Sequence, residues 1–211
     1  MGTIDTFLVW KLTDGRSYFI DATNASRTLL MDINNVSWSE EMCNLLNIPI
    51  DKLPEIKNSA DEFGETSLFG GEIKISGIAG DQQAALFGQG CFKEGEAKST
   101  YGTGCFMMLN TGSDIKLSKS KLLSTIGYQI DGKVNYALEG SIFMAGASVQ
   151  WLRDNLEFFS LAQEIENLAK NSNKNSNVFF IPAFTGLGAP YWDSEARGAI
   201  FRVSRETTIN D

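Results

Sequence analysis

Ile4, Phe7, Leu8, Lys11 and Leu12 recur at i, i+3, i+4 spacing and stop at Asp14-Gly15, which predicts an opening helix with a glycine-terminated end. A short strand is expected around Tyr18-Ile20. Ser37-Trp38-Ser39-Glu40 reads as the start of a second helix, with Ser37 as N-cap and Glu40 as the third residue of a capping box; Met42, Leu45 and Leu46 form its apolar stripe and Pro49 follows its end. From Glu72 the period changes. Ile73, Ile75 and Ile78 give a near-alternating strand that runs into Gly77-Ile78-Ala79-Gly80, after which Asp81 to Gly88 returns to helix.

Two hairpins come next: 97–100 with 105–109 around Tyr101-Gly102-Thr103-Gly104, and 122–130 with 133–138 around Asp131-Gly132. A helix from about Ala145 carries Val149, Leu152, Leu156 and Phe159, and another covers Leu161 to Lys170. The Asn/Ser/Lys run at 171–177 predicts a solvated loop and Val178-Ile181 a buried strand. Gly186 to Trp192 reads as loop, with no clear element from there to Asp211. No internal repeat is visible.

Composition narrows the chemistry. With 211 residues, 43% of them hydrophobic, the chain can bury a real core as one large domain or two small ones. Eighteen Lys and Arg against 26 Asp and Glu leave a net charge of −8, the wrong sign for long-range attraction to nucleic acid or anionic lipid. There is no histidine, which excludes Ser-His-Asp hydrolysis, His-ligated zinc and imidazole acid/base catalysis, so carboxylates lead the candidates for a general base. Cys43, Cys91 and Cys105 are odd in number and never paired as C-x-x-C, as expected of buried free thiols in a reducing, cytoplasmic compartment. No run approaches the ~20 apolar residues of a membrane span.

Eleven of the 20 glycines fall between Gly64 and Gly112, so the candidate chemistry is sought there first. Gly90 and Gly95 have Walker A spacing, but Glu96 stands where a phosphate-binding Lys is needed. Gly88-Gln89-Gly90 ends a helix instead of leaving a strand, and Lys93 replaces the third glycine of a dinucleotide fingerprint. Three features remain, each with a plain and a functional reading. Asp81, at a strand-to-helix turn, is either an N-cap or a carboxylate open to a cleft that can accept a proton or organise a metal. Gly102-Thr103-Gly104 is a hairpin turn or a backbone cradle for phosphate. Gly146 and Gln150 share one helix face, where Gly146 serves close packing or a nucleotide phosphate.

As longer strings these features are more specific. Gly77 to Gln89, Tyr101 to Met107, Tyr136 to Gly140 and Pro182 to Asp193 closely resemble the FGGY carbohydrate kinases, and the Asp81-Gln82-Gln83 triplet matches their glycerol-phosphorylating branch. The likeness runs from Gly2-Thr3-Ile4-Asp5-Thr6 through Thr23-Asn24-Ala25-Ser26-Arg27-Thr28 to the end of the chain. It implies an α/β fold of two ribonuclease-H-like lobes of the actin/Hsp70/sugar-kinase type, both incomplete here, with residues 1–90 in the substrate lobe and 91–211 in the nucleotide lobe. The implied reaction is ATP-dependent phosphorylation of glycerol to glycerol 3-phosphate. In it Asp81 is the general base, Gln82 and Phe106 contact the polyol, Gly102 and Thr103 form a phosphate hairpin, and Gly146 and Gln150 meet the nucleotide. Mg²⁺ is implied as a bridge between phosphate oxygens, with no metal site assigned to side chains. Glycerol and ATP are the implied partners, with neither nucleic acid nor membrane, and the resemblance leaves room for a homo-oligomer.

The sequence also departs from the family pattern. The first phosphate hairpin, the substrate Arg-Glu pair and the later adenosine contacts are absent; the ends look cut, and these residues alone are expected to be inactive. Glu72 stands where some members carry an Arg for a sugar-bisphosphate regulator, and Arg202 where relatives usually have Gly. Rival readings are a kinase of another polyol or sugar, a non-kinase nucleotide-binding module of the same fold, or an inactive regulatory protein. Gln82 and Phe106 count against the module, and the intact Asp81 and Thr103 against the inactive protein.

Overall fold

The computed structural model describes residues 1–174 and 176–211; Asn175, within the predicted 171–177 loop, lies outside the described residues. The chain divides into two compact units, residues 1–98 with 108–139, and residues 99–107 with 140–211.

The first unit opens with α1 (Ile4–Leu12), β1 (Phe19–Asp21), the short α2 (Ala22–Ala25), β2 (Met31–Asp32), β3 (Ser37–Trp38) and α3 (Glu40–Leu45). A 3₁₀ turn at Ile50–Lys52 leads to β4 (Glu55–Lys57), β5 (Ala60–Thr66), β6 (Ile73–Gly77) and α4 (Asp81–Gly88). β7 (Ala97–Tyr101), β8 (Cys105–Gly112), β9 (Leu123–Ile130) and β10 (Lys133–Ile142) complete a six-stranded sheet in the order β6-β5-β9-β10-β8-β7. Residues 99–101, 105–107 and 140–142 of its strands belong to the second unit. β1 pairs in parallel with β4.

Periodicity located most of these elements, but α3 begins later than predicted. Ser37-Trp38 is a strand paired with Met31-Asp32, so Ser39 is the cap, its hydroxyl accepting from the Met42 N–H at 3.2 Å. Glu40 becomes the first helical residue, and the predicted capping box does not form. The apolar stripe is not buried either: Cys43 is the buried residue of α3, while Leu45 and Leu46 are exposed.

The β9–β10 hairpin turns at Asp131 and Gly132, with φ of 50° and 71°. Positive φ at both central positions gives the turn whose twist matches that of the strands. Ile20, Ala22, Ala25, Met31, Ile126 and Tyr136 form the main core, and Leu86 packs α4 onto Cys91, Met108 and Ala137. Cys43 and Cys91 are buried and Cys105 half-buried, all three as free thiols.

The second unit holds α5 (Gly146–Asp154), a 3₁₀ turn at Ala162–Glu164, α6 (Ile165–Lys170), β11 (Phe179–Ile181) and β12 (Ala199–Phe201). β11 pairs antiparallel with β12, a strand the sequence reading did not anticipate. In that two-stranded sheet Phe179 and Ile181 stay exposed, against the buried strand predicted. Trp151 of α5 stacks on Phe180 at 5.7 Å and packs on Phe184 at 4.8 Å. Arg202 has φ of 60°, the left-handed conformation that suits glycine, and its guanidinium lies 5.3 Å from the Phe179 ring centre. Among the described residues no helix is long and apolar enough to cross a membrane.

Candidate functional site

In the first unit the turn from β6 into α4 delivers Asp81. The N-cap of α4 is Gly80, with extended backbone and no side-chain cap, and Asp81 is the first helical residue. The N-cap reading of Asp81 is thereby corrected: its carboxylate favours the helix dipole but does not cap it, and the side chain is exposed.

A buried polar network fixes the turn. Asp21 caps α2, accepting from the backbone N–H groups of Thr23 and Asn24 at 3.0 Å each, from the Thr23 hydroxyl at 2.8 Å and from the Ser59 hydroxyl at 2.8 Å. The Thr23 hydroxyl oxygen in turn accepts from the Gly80 N–H at 2.8 Å. A Cβ on Gly80 would lie 2.6 Å from Oε1 of the buried Gln83, so a side chain there would have to displace that amide.

Gln82, the next residue, donates from Nε2 to Asp81 Oδ2 at 3.1 Å, while its Oε1 accepts from Lys98 Nζ. Lys98 is 6% exposed. Burial pushes its ammonium pKa below the usual lysine value, against the opposing pull of Glu139, Asp81 and Cys91. Glu139, 4% exposed, is paired with Arg27 at 3.0 Å. An apolar cleft of about 400 Å³, lined by Ser59, Ile78, Phe87 and Tyr128 among others, adjoins the same turn, but neither Asp81 nor Gln82 lines it.

In the second unit the Gly102-Thr103-Gly104 turn is strapped to the start of α5. Gly102 O accepts from the Gly146 N–H at 2.9 Å, and Thr103 O accepts from the N–H groups of Ala145 at 2.8 Å and Ala147 at 3.2 Å. The Gly102 N–H is itself taken by Gly104 O at 2.9 Å. Two glycines make this approach feasible: a Cβ on Gly104 would lie 2.5 Å from Ile142 O, and one on Gly146 would lie 2.6 Å from Gly102 O. The Gly146 N–H is thus already satisfied, and Gly146 serves the close approach of helix and hairpin. The Thr103 side chain and Gln150, one turn along α5, are exposed, and Phe106 at the start of β8 is half-buried.

The structure thus groups Asp81 with Gln82, and Gly102 and Thr103 with Gly146. The sequence reading did not single out Thr23, Lys98, Glu139 or Arg27 as individual site residues. The available signal was a lysine on the buried side of a short strand, since β7 reads exposed, buried, exposed from Ala97 to Ser99.

Residues 1–88 match the FGGY family of carbohydrate kinases, N-terminal domain, and residues 97–211 match the C-terminal domain of the same family. The chain is 57% identical over 212 residues to glycerol kinase 1 of Pseudomonas aeruginosa and 56% identical over 212 residues to the glycerol kinase of Alteromonas mediterranea. Each match covers all of this chain and 43% of the relative, so the chain spans less than half the length of these curated relatives. The crystal structure of Plasmodium falciparum glycerol kinase with ADP is similar at a TM-score of 0.86 and 43% identity, covering 99% of this chain and 42% of that one. A ligand-bound xylulose kinase from Lactobacillus acidophilus has the same fold, with a TM-score of 0.82 at 22% identity, covering 98% of this chain and 43% of that one.

Proposed function

Because the chain belongs to the FGGY family of carbohydrate kinases, we propose that it carries substrate and nucleotide contacts of an ATP-dependent glycerol kinase, with Asp81 as the general base. The observation that supports this most directly is Asp81 itself: exposed at the head of α4, left out of the capping, and hydrogen-bonded to the amide of Gln82. We assign residues 1–90 to the substrate lobe and 91–211 to the nucleotide lobe.

Asp81 accepts the proton of the glycerol hydroxyl that attacks the γ-phosphorus. A carboxylate suffices, because a loose, metaphosphate-like transition state asks for little deprotonation until late. Gln82 hydrogen-bonds the polyol and Phe106 packs on its carbon skeleton. The Thr103 hydroxyl supplies a phosphate donor, held by the straps from Gly102 and Thr103 to α5. Gly146 brings helix and hairpin together, and Gln150 contacts the nucleotide.

Among the described residues no group of three or more His, Cys, Asp or Glu side chains could hold a metal ion. A Mg²⁺ would arrive with ATP, since Mg²⁺ in nucleotide sites takes most of its ligands from phosphate oxygens and water. Bound with ATP, the ion would supply neutralisation of phosphate charge, which an acidic chain of net charge −8 repels. No side chain here is assigned to it.

The test is a chimera in which residues 1–211 replace the matching segment of the Pseudomonas aeruginosa glycerol kinase 1. Glycerol-dependent ADP formation comparable to the parent is expected. A folded chimera without it would overturn the reading.

A further inference from the structure

We propose that Lys98 is the positioning residue of the Asp81–Gln82 pair: its buried ammonium decides which end of the Gln82 amide faces the Asp81 carboxylate. This deepens the proposed function and rests on its reading of Asp81 and Gln82, but the contact itself can be tested without turnover.

An ammonium donates three hydrogen bonds and accepts none, so the Gln82 atom facing Lys98 has to be the acceptor Oε1. The amide is planar, which leaves Nε2 to face Asp81, and it donates to Oδ2 at 3.1 Å. The opposite orientation would set Oε1 against a carboxylate oxygen, acceptor on acceptor, and Nε2 against an ammonium, donor on donor. Lys98 thereby also sets the polarity offered to a substrate hydroxyl. That hydroxyl donates its proton to Asp81, and its oxygen can accept the second hydrogen of Gln82 Nε2. The arrangement suits deprotonation of a neutral alcohol by the carboxylate.

The ammonium is itself held. Lys98 is 6% exposed on β7, and the groups acting on its charge are Glu139 of β10, Asp81 of α4 and Cys91. Glu139 is 4% exposed and paired with Arg27 at 3.0 Å. Arg27, Glu139, Lys98 and Asp81 are thus two cations and two carboxylates, without net charge. A buried ion retained in this way gives orientation more than stability.

The experiment uses ¹⁵N-labelled 211-residue chain and reads the side-chain amide of Gln82, assigned by its loss in Gln82→Glu. Asp81→Asn is expected to move the Gln82 Nε2 resonances in the parent, because the two groups are in contact. In a Lys98→Met background, where only the carboxylate orients the amide, the same substitution should move them clearly less than in the parent, and in Lys98→Arg, which keeps charge and donors, the full shift should return. A shift of parent size in Lys98→Met overturns the proposal. Should Lys98→Met not fold, Lys98→Leu, which also removes the charge and every donor, takes its place with the same two outcomes. In the active chimera, Lys98→Met should lower kcat/KM for glycerol by roughly 10- to 100-fold, the scale of a lost charge-assisted hydrogen bond, with KM for ATP unchanged and Lys98→Arg recovering most of the loss. An equal effect on both substrates would mean general damage and would also overturn it. If Asp81→Asn left turnover intact while the spectral coupling held, the general-base reading of Asp81 would fail and the positioning of Gln82 would stand.

Discussion

The Thr23 hydroxyl accepts the Gly80 N–H at 2.8 Å across 57 residues of sequence, and through it the turn that presents Asp81 is bonded to the buried Asp21 carboxylate. Both Thr23 and Asp21 are fully buried. Thr23→Val keeps the shape, but leaves the Gly80 N–H and one carboxylate lone pair without their partner. A loss of about 1–3 kcal/mol is expected, the usual penalty for an orphaned buried polar group. Urea denaturation of the 211-residue chain measures it, and Thr23→Ser should recover most of the difference. Amide exchange at Gly80 should accelerate in the Val variant beyond its global destabilisation.

The strap between hairpin and α5 leads to a second expectation. Gly146→Ala would put a Cβ 2.6 Å from the Gly102 carbonyl oxygen, and backbone there has to move. Overpacking of this kind destabilises by about 1–3 kcal/mol. The displacement should show as amide shifts at Gly102 and Thr103 and as weaker ADP binding in the chimera. Gly71→Ala meets nothing within 4 Å and serves as the control with unchanged melting and binding.

These relationships mark where local pattern stopped being informative. The Asp131-Gly132 turn was legible because its two residues carry the positive-φ conformation themselves, and the Tyr101–Gly104 turn because glycines interrupt two β-like runs. So was the start of α4, where β6 alternation gives way to a helical run. The helix cap at Ser39 was not, because the competing interaction is the pairing of Ser37-Trp38 with Met31-Asp32, which no window around α3 contains. β12 was missed for the same reason, its partner β11 lying about 20 residues upstream. At Asp81 the preference of Asp for N-caps pointed to the wrong residue, since Thr23 holds the Gly80 N–H and a glycine in extended conformation ends the turn. Lys98 was not singled out, because a lysine is rarely buried and only the fold supplies Glu139 and Asp81 beside it.

Stability should depend on pH through Asp61, the second residue of β5. Its carboxylate accepts from the Asn58 side chain at 2.9 Å and the Glu62 N–H at 2.8 Å, and lies 3.8 Å from Lys57 Nζ. The Asn58 bond leads the causes that hold its pKa below the usual aspartate value of 3.8, against some desolvation. A depressed carboxylate contributes stability that is fully present above its unfolded pKa and is lost as pH falls through the folded one. The melting-temperature difference between the parent and Asp61→Ala should therefore be constant at neutral pH and shrink below about pH 4. The charge-dependent part is expected to stay within about 1 kcal/mol, because the pair is close to solvent. A difference unchanged down to pH 2 would show that the ionised form contributes nothing.

Asp81→Asn separates catalysis from architecture. Asp81 is not the cap of α4, so the substitution removes no capping bond; it removes a charge near the helix N-terminus, which contributes about 0.3–1 kcal/mol at exposed positions. The melting temperature should fall only slightly. Asn is nearly isosteric and can still accept the Gln82 N–H through its carbonyl oxygen, so the local arrangement survives. What it cannot do is take a proton. In the chimera, kcat should then fall by roughly 10²–10⁴-fold, the range for loss of a general base. ATP affinity should hold, because Thr103, Gly146 and Gln150 are untouched. A purely structural Asp81 leads to the same small change in melting with turnover left near that of the parent. Thermal melts and steady-state kinetics on one pair of proteins distinguish the two, and a kcat within about threefold of the parent, far short of the general-base range, would remove Asp81 from the catalytic step.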